Sequence, residues 1–430
     1  MTFQQALDYL DAHASYEKTG RIESPTIDRM RTLVGAMGDP QHAYPVIHIT
    51  GTNGKGSTTQ MITRLLMAYG LKVGTYTSPH LERINERMSV NCEPITDEEF
   101  GVQIAAVADV EVLTGTRPSY FEAVTAAALR WFADEAVDVA VVEVGLLGRW
   151  DATNVCDAKV AVVTNIGADH TEFAGPTLGH IAAEKSGIVK PGSVVVIGET
   201  DPELARVFAT AGGASSLQRG DDFDVMENQL ALGGRLVDLR TPTTVYPEVF
   251  VPLHGRHQGD NAAVALTAVE AFFAAPVPGD IVAEGFAAVT MPGRFEAMGR
   301  QPLVVIDGAH NPPGADTCAS VFFQDFDPEG RRILVVGCLQ GRDPRDMLAA
   351  LRADEFDLVI TCTAPTPRGL PASDLTAAAR SMGCDEVVEM ASVEQAIDRA
   401  RRDATAEDAI LVTGSLYIVG AARPYLRHVL

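Results

Sequence analysis

Residues 46–57 read VIHITGTNGKGS and decide the fold of the chain. Four of the first five residues are β-branched, which predicts a short buried strand. The glycine-rich loop GTNGKGS follows, and apolar side chains then recur at helical spacing over residues 57–69. A strand, a glycine-rich turn and a helix N-terminus form an anion site, because backbone N–H groups face the anion and Lys55 adds a positive charge. A plain glycine-rich connection is the alternative, and the coincidence of strand, loop and lysine argues against it.

The alternation of short apolar strands and helical stretches continues along the chain and predicts an α/β protein with parallel sheets covered on both faces. Residues 221–255 alternate apolar and polar side chains, which predicts a small antiparallel insertion. The pattern breaks at MPGRFEAMGR, residues 291–300, and then restarts. We therefore expect an N-terminal P-loop-type parallel-sheet domain over 1–296, carrying the insertion, and a smaller C-terminal Rossmann-like α/β domain over 297–430. Beyond the first strand, the predicted strands are 72–76, 137–144, 159–165, 193–197, 303–306, 333–336, 358–361 and 409–412.

Composition excludes several classes of protein. The 430 residues include 34 basic and 57 acidic residues, a net charge of −23, which argues against binding to nucleic acid or to anionic membranes. The six cysteines form no CxxC pair and are expected to be reduced, with neither a disulfide framework nor a zinc site. The N-terminus lacks a signal-peptide pattern, and no apolar run approaches the ~20 residues that span a bilayer. These features predict a cytoplasmic protein.

The loop GTNGKGS departs from the common GxxxxGK[ST] pattern, since Gly56 stands between the lysine and the hydroxyl residue, and it resembles the ATP loop of the Mur ligase superfamily. Further motifs resemble one branch, the folylpolyglutamate synthase/dihydrofolate synthase family. They are TSPHLERINERMSVNCEPIT (77–96), SYFEAVTA (119–126), VVEVGLLGRWDATN (141–154), GADHTEFAG (167–175), EKSGIVKPG (184–192), MPGRFE (291–296), IDGAHNPPGA (306–315) and TGSLY (413–417). The resemblance implies an ATP-dependent ligase that adds L-glutamate to dihydropteroate, to folyl(poly)glutamates or to both, through an acyl phosphate.

The resemblance assigns ATP contacts to the loop and to three later residues. The loop residues are Thr52, Asn53, Gly54, Lys55, Gly56 and Ser57. Asn261 would contact the adenine, Arg294 would engage phosphate when the domains close, and Asp307 would hydrogen-bond the nucleotide at its ribose. His310 would position the acyl phosphate or the glutamate amine. The implied catalytic residues are Lys55, Lys185 and His310.

The same resemblance implies two Mg²⁺ ions. Hard oxygen ligands suit Mg²⁺, and a carboxylate at the end of an apolar strand such as VDVAVVEV is costly unless it is paired or bound to a metal. The implied metal ligands are Ser57, Ser78, Glu143, His170 and Lys185. Lys185 would carry a CO₂-derived carbamate, which replaces a cation by an anionic oxygen ligand. Carbamylation requires the neutral amine, so burial must lower the pKa of this lysine.

For the folate-like acceptor, the resemblance points to the loop 77–92 and to several aromatic and acidic side chains. These side chains are Tyr120, Phe121, Glu122, Trp150 and Asp151. Aromatic rings suit stacking on a pterin. Leu147 and Trp150 stand where the family usually has glycine and leucine, and Cys92 replaces another glycine. We therefore expect a local change in the loop after Glu143 and in acceptor preference.

The sequence supports three other functions less well. A ligase for a cell-wall precursor would need a separate N-terminal substrate domain, and only 50 residues precede Gly51. A non-catalytic nucleotide-binding module is disfavoured because the site residues are retained. A Rossmann oxidoreductase is disfavoured because no GxGxxG follows the first strand.

The expected partners are small molecules: ATP, L-glutamate and a pteroate or folate, with neither nucleic acid nor membrane, and the default state is a monomer. All three substrates are anions. Basic residues within the motifs are expected to make the binding cleft locally positive despite the net charge, so that salt raises the KM for the acceptor. They are Lys55, Arg83, Arg87, Arg149, Lys185 and Arg294.

Overall fold

The computed structural model describes residues 1–21, 25–169, 171–341 and 343–430. They form two compact units, each with its own apolar core. Unit 1 contains Met1–Glu17, Arg21–Pro252 and Arg256–Thr290. Unit 2 contains Lys18–Gly20, Leu253–Gly255 and Met291–Leu430.

The break between the units lies between residues 290 and 291, whereas the sequence placed the boundary near 297. The stretch MPGRFEAMGR interrupts the apolar pattern, yet Glu296–Arg300 within it is a strand that pairs antiparallel with Leu303–Ile306. Local pairing of this kind places the stretch with the unit that follows it.

Unit 1 is built from strands and helices that alternate along most of the chain. Its strands are β1 (Val46–Thr50), β2 (Val73–Tyr76), β3 (Met88–Val90), β4 (Glu93–Pro94), β5 (Val139–Glu143), β6 (Ala158–Val163), β7 (Val194–Ile197), β8 (Ser215–Gln218), β9 (Asp224–Ala231), β10 (Gly234–Arg240) and β11 (Val245–Val251). Its helices are α1 (Phe3–Asp11), α2 (Tyr16–Thr19), α3 (Asp28–Ala36), α4 (Lys55–Ala68), α5 (Asp97–Thr114), α6 (Tyr120–Asp134), α7 (Thr171–Ala174), α8 (Leu178–Lys185), α9 (Pro202–Ala209), α10 (His257–Phe273) and α11 (Gly279–Ala287).

The main sheet of unit 1 has the strand order β4-β3-β2-β5-β1-β6-β7-β8 in the described residues, and it is parallel from β2 to β8. β1 lies between β5 and β6, with Ile49 opposite Glu143 and Thr50 opposite Val163. The segments that follow β1, β2, β5 and β6 therefore emerge at the same edge of the sheet. The carboxyl edge of parallel strands is where α/β proteins bind ligands.

The first strand and the helix that follows it form where the sequence predicts them. All five residues of β1 are buried, and the apolar face of α4 is completely buried. That face consists of Met61, Ile62, Leu65 and Leu66. The predicted strand–loop–helix unit at residues 46–69 is confirmed.

The predicted antiparallel insertion is the three-stranded sheet β11-β10-β9. Unit 2 contains a second, mostly parallel sheet in the order β12-β13-β17-β14-β15-β16, in which only the edge strand β12 is antiparallel among the described residues. Its strands are β12 (Glu296–Arg300), β13 (Leu303–Ile306), β14 (Arg332–Val336), β15 (Leu358–Thr361), β16 (Val387–Glu389) and β17 (Ala409–Thr413). Its helices are α12 (Pro312–Val321), α13 (Pro344–Ala350), α14 (Ala372–Ser381), α15 (Val393–Asp403) and α16 (Leu416–Val429). The predicted α/β fold class is confirmed.

All six cysteines are free thiols, and five of them are buried. In the described residues, no helix is both long enough and apolar enough to cross a membrane.

Candidate active site

The loop after β1 needs glycine at two positions. Gly51 has a φ of +149°, and a Cβ added there would lie 1.8 Å from Thr164 Oγ1. Gly54 has a φ of +81°, and its Cβ would lie 2.5 Å from the side-chain oxygen of Asn261. Gly54 immediately precedes α4, so its left-handed conformation turns the chain into the helix. Glycine at these two positions therefore lets the loop pack closely against Thr164 and Asn261.

The segment after β6 holds this loop in place. The Thr52 N–H donates to the Asn165 carbonyl at 2.9 Å, and the Asn53 N–H donates to Asn165 Oδ1 at 3.0 Å. In return, Thr164 Oγ1 donates to the Asn53 carbonyl at 2.6 Å, and the Gly167 N–H donates to Thr52 Oγ1 at 2.9 Å. These bonds preorganise the loop. Neither Thr164 nor Asn165 was predicted as a site residue, although their position directly after an apolar strand was a signal.

Two lysines meet at one carbonyl of the loop. Lys55 Nζ donates to the carbonyls of Gly51 and Thr52, both at 3.1 Å, and Lys185 Nζ donates to the Gly51 carbonyl at 2.6 Å. Lys185 is the last residue of α8 and is 4% exposed. Burial, and then the positive charge of Lys55, lower the pKa of Lys185 to about 7, although two nearby aspartates act in the opposite direction. At neutral pH a large share of Lys185 is therefore the uncharged amine.

Three of the predicted metal ligands lie at the edge of the sheet from which the phosphate loop emerges. Glu143 is the last residue of β5 and is 5% exposed, and the N–H of Ser78, which follows β2, lies 3.4 Å from Glu143 Oε2. Ser57 lies in the first turn of α4 and is buried. His170 lies outside the described residues. Within the described ranges, no three His, Cys, Asp or Glu side chains are grouped so that they could hold a metal ion by themselves.

The loop after β5 folds around the carboxylate of Asp151, which is buried. Asp151 Oδ2 accepts from the Leu146 N–H at 2.7 Å, and Oδ1 accepts from the Thr153 N–H at 3.0 Å. Burial raises the pKa of Asp151, and these hydrogen bonds oppose the rise. Leu147 in this loop has a φ of +59°, so the leucine adopts the left-handed conformation that glycine accepts more easily.

The same loop packs against the end of α8. The Arg149 N–H donates to the Glu184 carbonyl at 2.9 Å. A Cβ on Gly148 would lie 2.7 Å from the carbonyl oxygen of Lys185. Trp150, between these contacts and Asp151, is 49% exposed. The loop therefore places Asp151 near Lys185 and leaves the indole of Trp150 exposed.

The aromatic candidates at the start of α6 pack on neighbouring segments. The ring of Phe121 leaves no room for a side chain at Gly145, where a Cβ would lie 2.3 Å from the ring. The guanidinium of Arg87 lies 5.4 Å from the centre of the Tyr120 ring. Arg87 is fully buried and pairs with Glu17 at 2.6 Å. Tyr120 thus lies beside an ion pair with a buried guanidinium, which the sequence did not indicate.

Glu122 holds the first turn of α6. Its Oε2 accepts from the Ser119 N–H at 2.7 Å, while the Ser119 hydroxyl accepts from the Glu122 N–H, which forms a capping box. Arg29 Nε donates to the same carboxylate at 3.0 Å. These contacts give Glu122 a structural role in positioning the aromatic residues before it.

Asn261 lies near the start of α10, beside the phosphate loop. Its side-chain nitrogen donates to Gln258 Oε1 at 3.0 Å, and its oxygen faces Gly54. Asn261 is buried. The structure therefore brings this residue to the loop that the resemblance assigns to ATP.

In unit 2, the predicted residues gather at the end of β13. Asp307 follows this strand and is buried, with Oδ2 accepting from the Phe295 N–H at 3.2 Å and Oδ1 from the Ala309 N–H at 2.9 Å. Burial raises the pKa of Asp307, and the charge of Arg294 opposes the rise. His310 Nδ1 lies 3.0 Å from a backbone carbonyl two residues before it.

Family models match most of the chain: residues 49–269 match the Mur ligase middle domain, and residues 293–416 match the glutamate ligase domain of Mur ligases. A similar protein is the dihydrofolate synthase/folylpolyglutamate synthase of Mycobacterium tuberculosis, 39% identical over 93% of this chain and 89% of that protein. The structure of Escherichia coli FolC in complex with DHPP and ADP superimposes with a TM-score of 0.90 at 31% identity, covering 100% of this chain and 98% of the other. A bifunctional folylpolyglutamate synthase/dihydrofolate synthase with Mn, AMPPNP and L-glutamate bound gives a TM-score of 0.87 at 29% identity, covering 99% and 98%.

Proposed function

Because the chain belongs to the dihydrofolate synthase/folylpolyglutamate synthase family of Mur ligases, we propose that it joins L-glutamate to dihydropteroate, to folyl(poly)glutamates or to both. The enzyme is an ATP-dependent amino acid ligase. The observation that supports this proposal most strongly is the meeting of Lys55 and Lys185 at the Gly51 carbonyl, at the carboxyl edge of the sheet. The Lys55 cation beside a preorganised glycine loop suits a triphosphate, and the lowered pKa of the adjacent Lys185 suits the carbamate proposed below.

The reaction forms an amide in two steps. The acceptor carboxylate attacks the γ-phosphorus of ATP, which gives an acyl phosphate and ADP, and the glutamate amine then attacks the acyl carbon and releases phosphate. The N–H groups of residues 54–57, at the start of α4, would hold the phosphates, and Lys55 would stabilise the negative charge on the transferred group. Lys55 already lies over the loop, held by the carbonyls of Gly51 and Thr52, so the charge needs little reorganisation.

The residues present fit a hard divalent cation such as Mg²⁺. Glu143 offers a buried carboxylate at a strand end, the Ser78 N–H lies 3.4 Å from it, and Ser57 offers a hydroxyl in the first turn of α4. Oxygen donors of this kind, completed by phosphate oxygens, are what Mg²⁺ prefers. When bound, the cation would neutralise phosphate charge and polarise the γ-phosphoryl group. The chain is therefore proposed to use ATP with two Mg²⁺ ions, held by Ser57, Ser78 and Glu143 together with His170 and Lys185.

Lys185 is proposed to be carbamylated. The neutral amine attacks the carbon of CO₂, an N–C bond forms, and one amine proton leaves to solvent, which gives an anionic carbamate that keeps one N–H. The lowered pKa of about 7 supplies the neutral amine at physiological pH. The remaining N–H would still be able to donate to the Gly51 carbonyl, which the amine contacts at 2.6 Å.

The acceptor site is proposed to lie around the loop after β5 and the start of α6. Tyr120, Phe121 and Trp150 would contribute flat apolar surface for a pterin ring, and Asp151 would contribute a hydrogen-bond acceptor. Glu122 would act by holding the first turn of α6. The exposed indole of Trp150 is the feature in this set most open to contact by a bound molecule.

The roles of Asn261 in unit 1, and of Arg294, Asp307 and His310 in unit 2, stay proposals carried by the resemblance. The monomeric state and the cytoplasmic location also stay predictions.

A substrate panel tests the proposed function. The purified enzyme is incubated with ATP, Mg²⁺, L-glutamate and one acceptor: dihydropteroate, dihydrofolate or a tetrahydrofolate. We expect ADP release that requires both glutamate and acceptor, and a product heavier than the acceptor by one glutamyl residue, detected by mass spectrometry. Omission of glutamate and omission of acceptor are the matched controls. ATP turnover that ignores both omissions, or an acceptor of unchanged mass, would count against the proposal.

A further inference from the structure

A chain of side-chain hydrogen bonds connects the strand before the phosphate loop to the acid of the loop after β5. His48, the central residue of β1, is fully buried, and its Nε2 lies 2.8 Å from Thr153 Oγ1. Thr153 is also fully buried, and its Oγ1 lies 2.5 Å from Asp151 Oδ1. None of the roles assigned above uses His48 or Thr153.

The chemistry of the three groups fixes the direction of the chain. The Asp151 carboxylate only accepts, so the Thr153 hydroxyl donates its hydrogen to Oδ1. The hydroxyl oxygen must then accept from His48, which requires the proton of the neutral imidazole on Nε2. Burial lowers the pKa of His48 to about 3, in agreement with a neutral ring at physiological pH. The order is therefore His48 Nε2–H to Thr153 Oγ1–H to Asp151 Oδ1.

A histidine at position 48 is unfavourable for the stability of β1 considered by itself. The neighbouring Val46, Ile47 and Ile49 are at most 1% exposed, so position 48 lies in a core where an apolar β-branched residue would pack well. The other ring nitrogen of His48, Nδ1, is buried and has no hydrogen-bond partner among the described residues. A buried acceptor without a partner costs free energy that valine or isoleucine would avoid. The hydrogen bond from Nε2–H to Thr153 Oγ1 explains why a histidine lies at this position.

A second contact from the same face of β1 reaches the same loop. Residues two apart on a strand point to one face, so Thr50 lies beside His48. Thr50 Oγ1 donates to the Leu147 carbonyl at 2.7 Å. β1, which leads into the phosphate loop, therefore contacts the loop of Asp151 on both sides of this residue, at Leu147 and at Thr153.

We propose that His48 is a positioning residue for the acceptor site: through Thr153 it fixes the orientation of the Asp151 carboxylate, and with Thr50 it sets this loop against the phosphate loop. The inference rests on the proposed function, in which Asp151 receives the acceptor. Oδ1 accepts twice from Thr153 and Oδ2 accepts from Leu146, so these three hydrogen bonds fix the orientation of the carboxylate. Without the Thr153 hydroxyl, Oδ1 loses its shortest bond, and the carboxylate is held less firmly, by the N–H groups of Leu146 and Thr153.

Substitutions that keep the shape and remove one link test this inference. Thr153→Val removes the hydroxyl, Thr153→Ser retains it, His48→Leu removes the Nε2–H, and His48→Gln supplies an N–H at a similar distance. The matched control is Thr63→Val, because Thr63 Oγ1 and Thr75 Oγ1 form an equally buried hydroxyl pair, 2.9 Å apart, outside the assigned site. KM is measured separately for dihydropteroate, or the acceptor that the panel identifies, and for ATP.

We expect Thr153→Val to raise the acceptor KM about tenfold, because a hydrogen bond to a buried carboxylate is lost. His48→Leu should raise it to a similar extent, because the Thr153 hydroxyl loses the donor that fixes its orientation toward Asp151. The KM for ATP should change by less than about twofold. A twofold change corresponds to a smaller free energy than one typical hydrogen bond contributes. Thr153→Ser and His48→Gln should restore most of the acceptor KM. The double variant Thr153→Val/His48→Leu should be no worse than either single variant, because the chain is already broken.

Three results would overturn the inference: an unchanged acceptor KM in Thr153→Val, equal increases of both KM values, or the same increase in Thr63→Val. If His48→Leu fails to fold, the Thr153 pair and its control still decide. A wild-type enzyme that turns over no acceptor would overturn the proposed function and this inference with it. Wild-type turnover with an unaffected Thr153→Val variant would overturn this inference alone.

Discussion

Leu147 combines a left-handed backbone conformation, with a φ of +59°, and a side chain that is only 9% exposed. Leu147→Ala removes most of the buried side chain and keeps the backbone strain, which should lower the free energy of unfolding by about 2–5 kcal/mol. Leu147→Gly removes one more carbon but relieves strain worth about 1 kcal/mol. We therefore expect the glycine variant to be more stable than the alanine variant by about 1 kcal/mol, measured by urea denaturation.

Leu65 provides the control for this order. It is fully buried and lies inside α4, where glycine has no conformational advantage. Leu65→Gly should therefore be less stable than Leu65→Ala by about 1 kcal/mol. The same order of stability at residues 147 and 65 would contradict the left-handed conformation of Leu147.

Lys185→Ala should nearly abolish ligase turnover, because alanine cannot carry the proposed carbamate. The free energy of unfolding should change by only about 1 kcal/mol, since the lost packing is offset by removing an amine whose burial is itself unfavourable. Steady-state turnover and urea denaturation measure the two effects. A small carboxylate such as acetate is expected to restore part of the activity by occupying the vacated space.

Lys190 is the matched control for Lys185. Its Nζ donates to the Asn154 carbonyl at 3.0 Å, and burial lowers its pKa as well, yet no role in the reaction is assigned to it. Lys190→Ala should keep its activity. In ¹³CO₂, a carbamate carbon signal should appear in the NMR spectra of the wild type and Lys190→Ala and be absent from Lys185→Ala. A fully active Lys185→Ala enzyme would rule out the carbamate.

The strands of the sheets show which elements a sequence predicts well. β1, β13 and β15 have the predicted bounds, because central parallel strands are buried on both faces and read as short apolar runs. The strands β3, β4, β8, β12 and β16 were missed. They lie at a sheet edge or next to one, and the sequence of β8, SSLQ, is polar and partly exposed, so no apolar run marks it.

The placement of a candidate site residue was predictable where one short motif carries it. The positions of Lys55 at the start of α4 and of Glu143 at the end of β5 could be predicted, because a glycine loop and an apolar strand mark them locally. The pairing of Arg87 with Glu17, and the chain from His48 to Asp151, join residues far apart in sequence. Such contacts depend on how the elements pack, and periodicity says nothing about them.

Helices α1 and α5 are joined by a polar contact at Glu111. Tyr9 Oη donates to its carboxylate, and His13 Nε2 lies 2.9 Å from it. Burial raises the pKa of Glu111, but the hydrogen bonds from Tyr9 and His13 outweigh burial, so the folded pKa lies below the ordinary value of 4.5. The stability from this contact is therefore present above pH 4.5 and is lost as the pH falls through the folded pKa.

Glu111→Gln should thus destabilise the protein more at about pH 6 than at about pH 3.5, measured as the difference in unfolding free energy from wild type. Asp109, an exposed acid of the same helix, is the control. Asp109→Asn should change the unfolding free energy by less than about 0.5 kcal/mol at both pH values. A destabilisation by Glu111→Gln that grows toward acid pH would reverse the assigned sign of the pKa shift.

The whole chain carries a net charge of −23, while its proposed substrates are all anions. Three of the arginines expected to make the cleft positive are paired with carboxylates within unit 1. The pairs are Arg83 with Asp97 at 2.7 Å, Arg87 with Glu17 at 2.6 Å and Arg149 with Glu184 at 3.7 Å. A paired arginine contributes little beyond a few ångströms, because the carboxylate cancels its charge. The excess of acidic residues therefore dominates the long-range field.

We accordingly expect salt to favour acceptor binding, the reverse of the response predicted from the sequence alone. Raising the ionic strength from about 10 mM to about 150 mM shortens the Debye length from about 30 Å to about 8 Å, which screens repulsion between the chain and an anionic acceptor. The KM for the acceptor should fall, and it should fall more for a folate with three glutamates than for one with a single glutamate, since the longer chain carries more negative charge. The measurement is steady-state turnover at fixed free Mg²⁺, with ATP and glutamate saturating. A KM that rises with salt, most steeply for the longer chain, would mean that the local positive charge of Lys55 outweighs the field of the whole molecule.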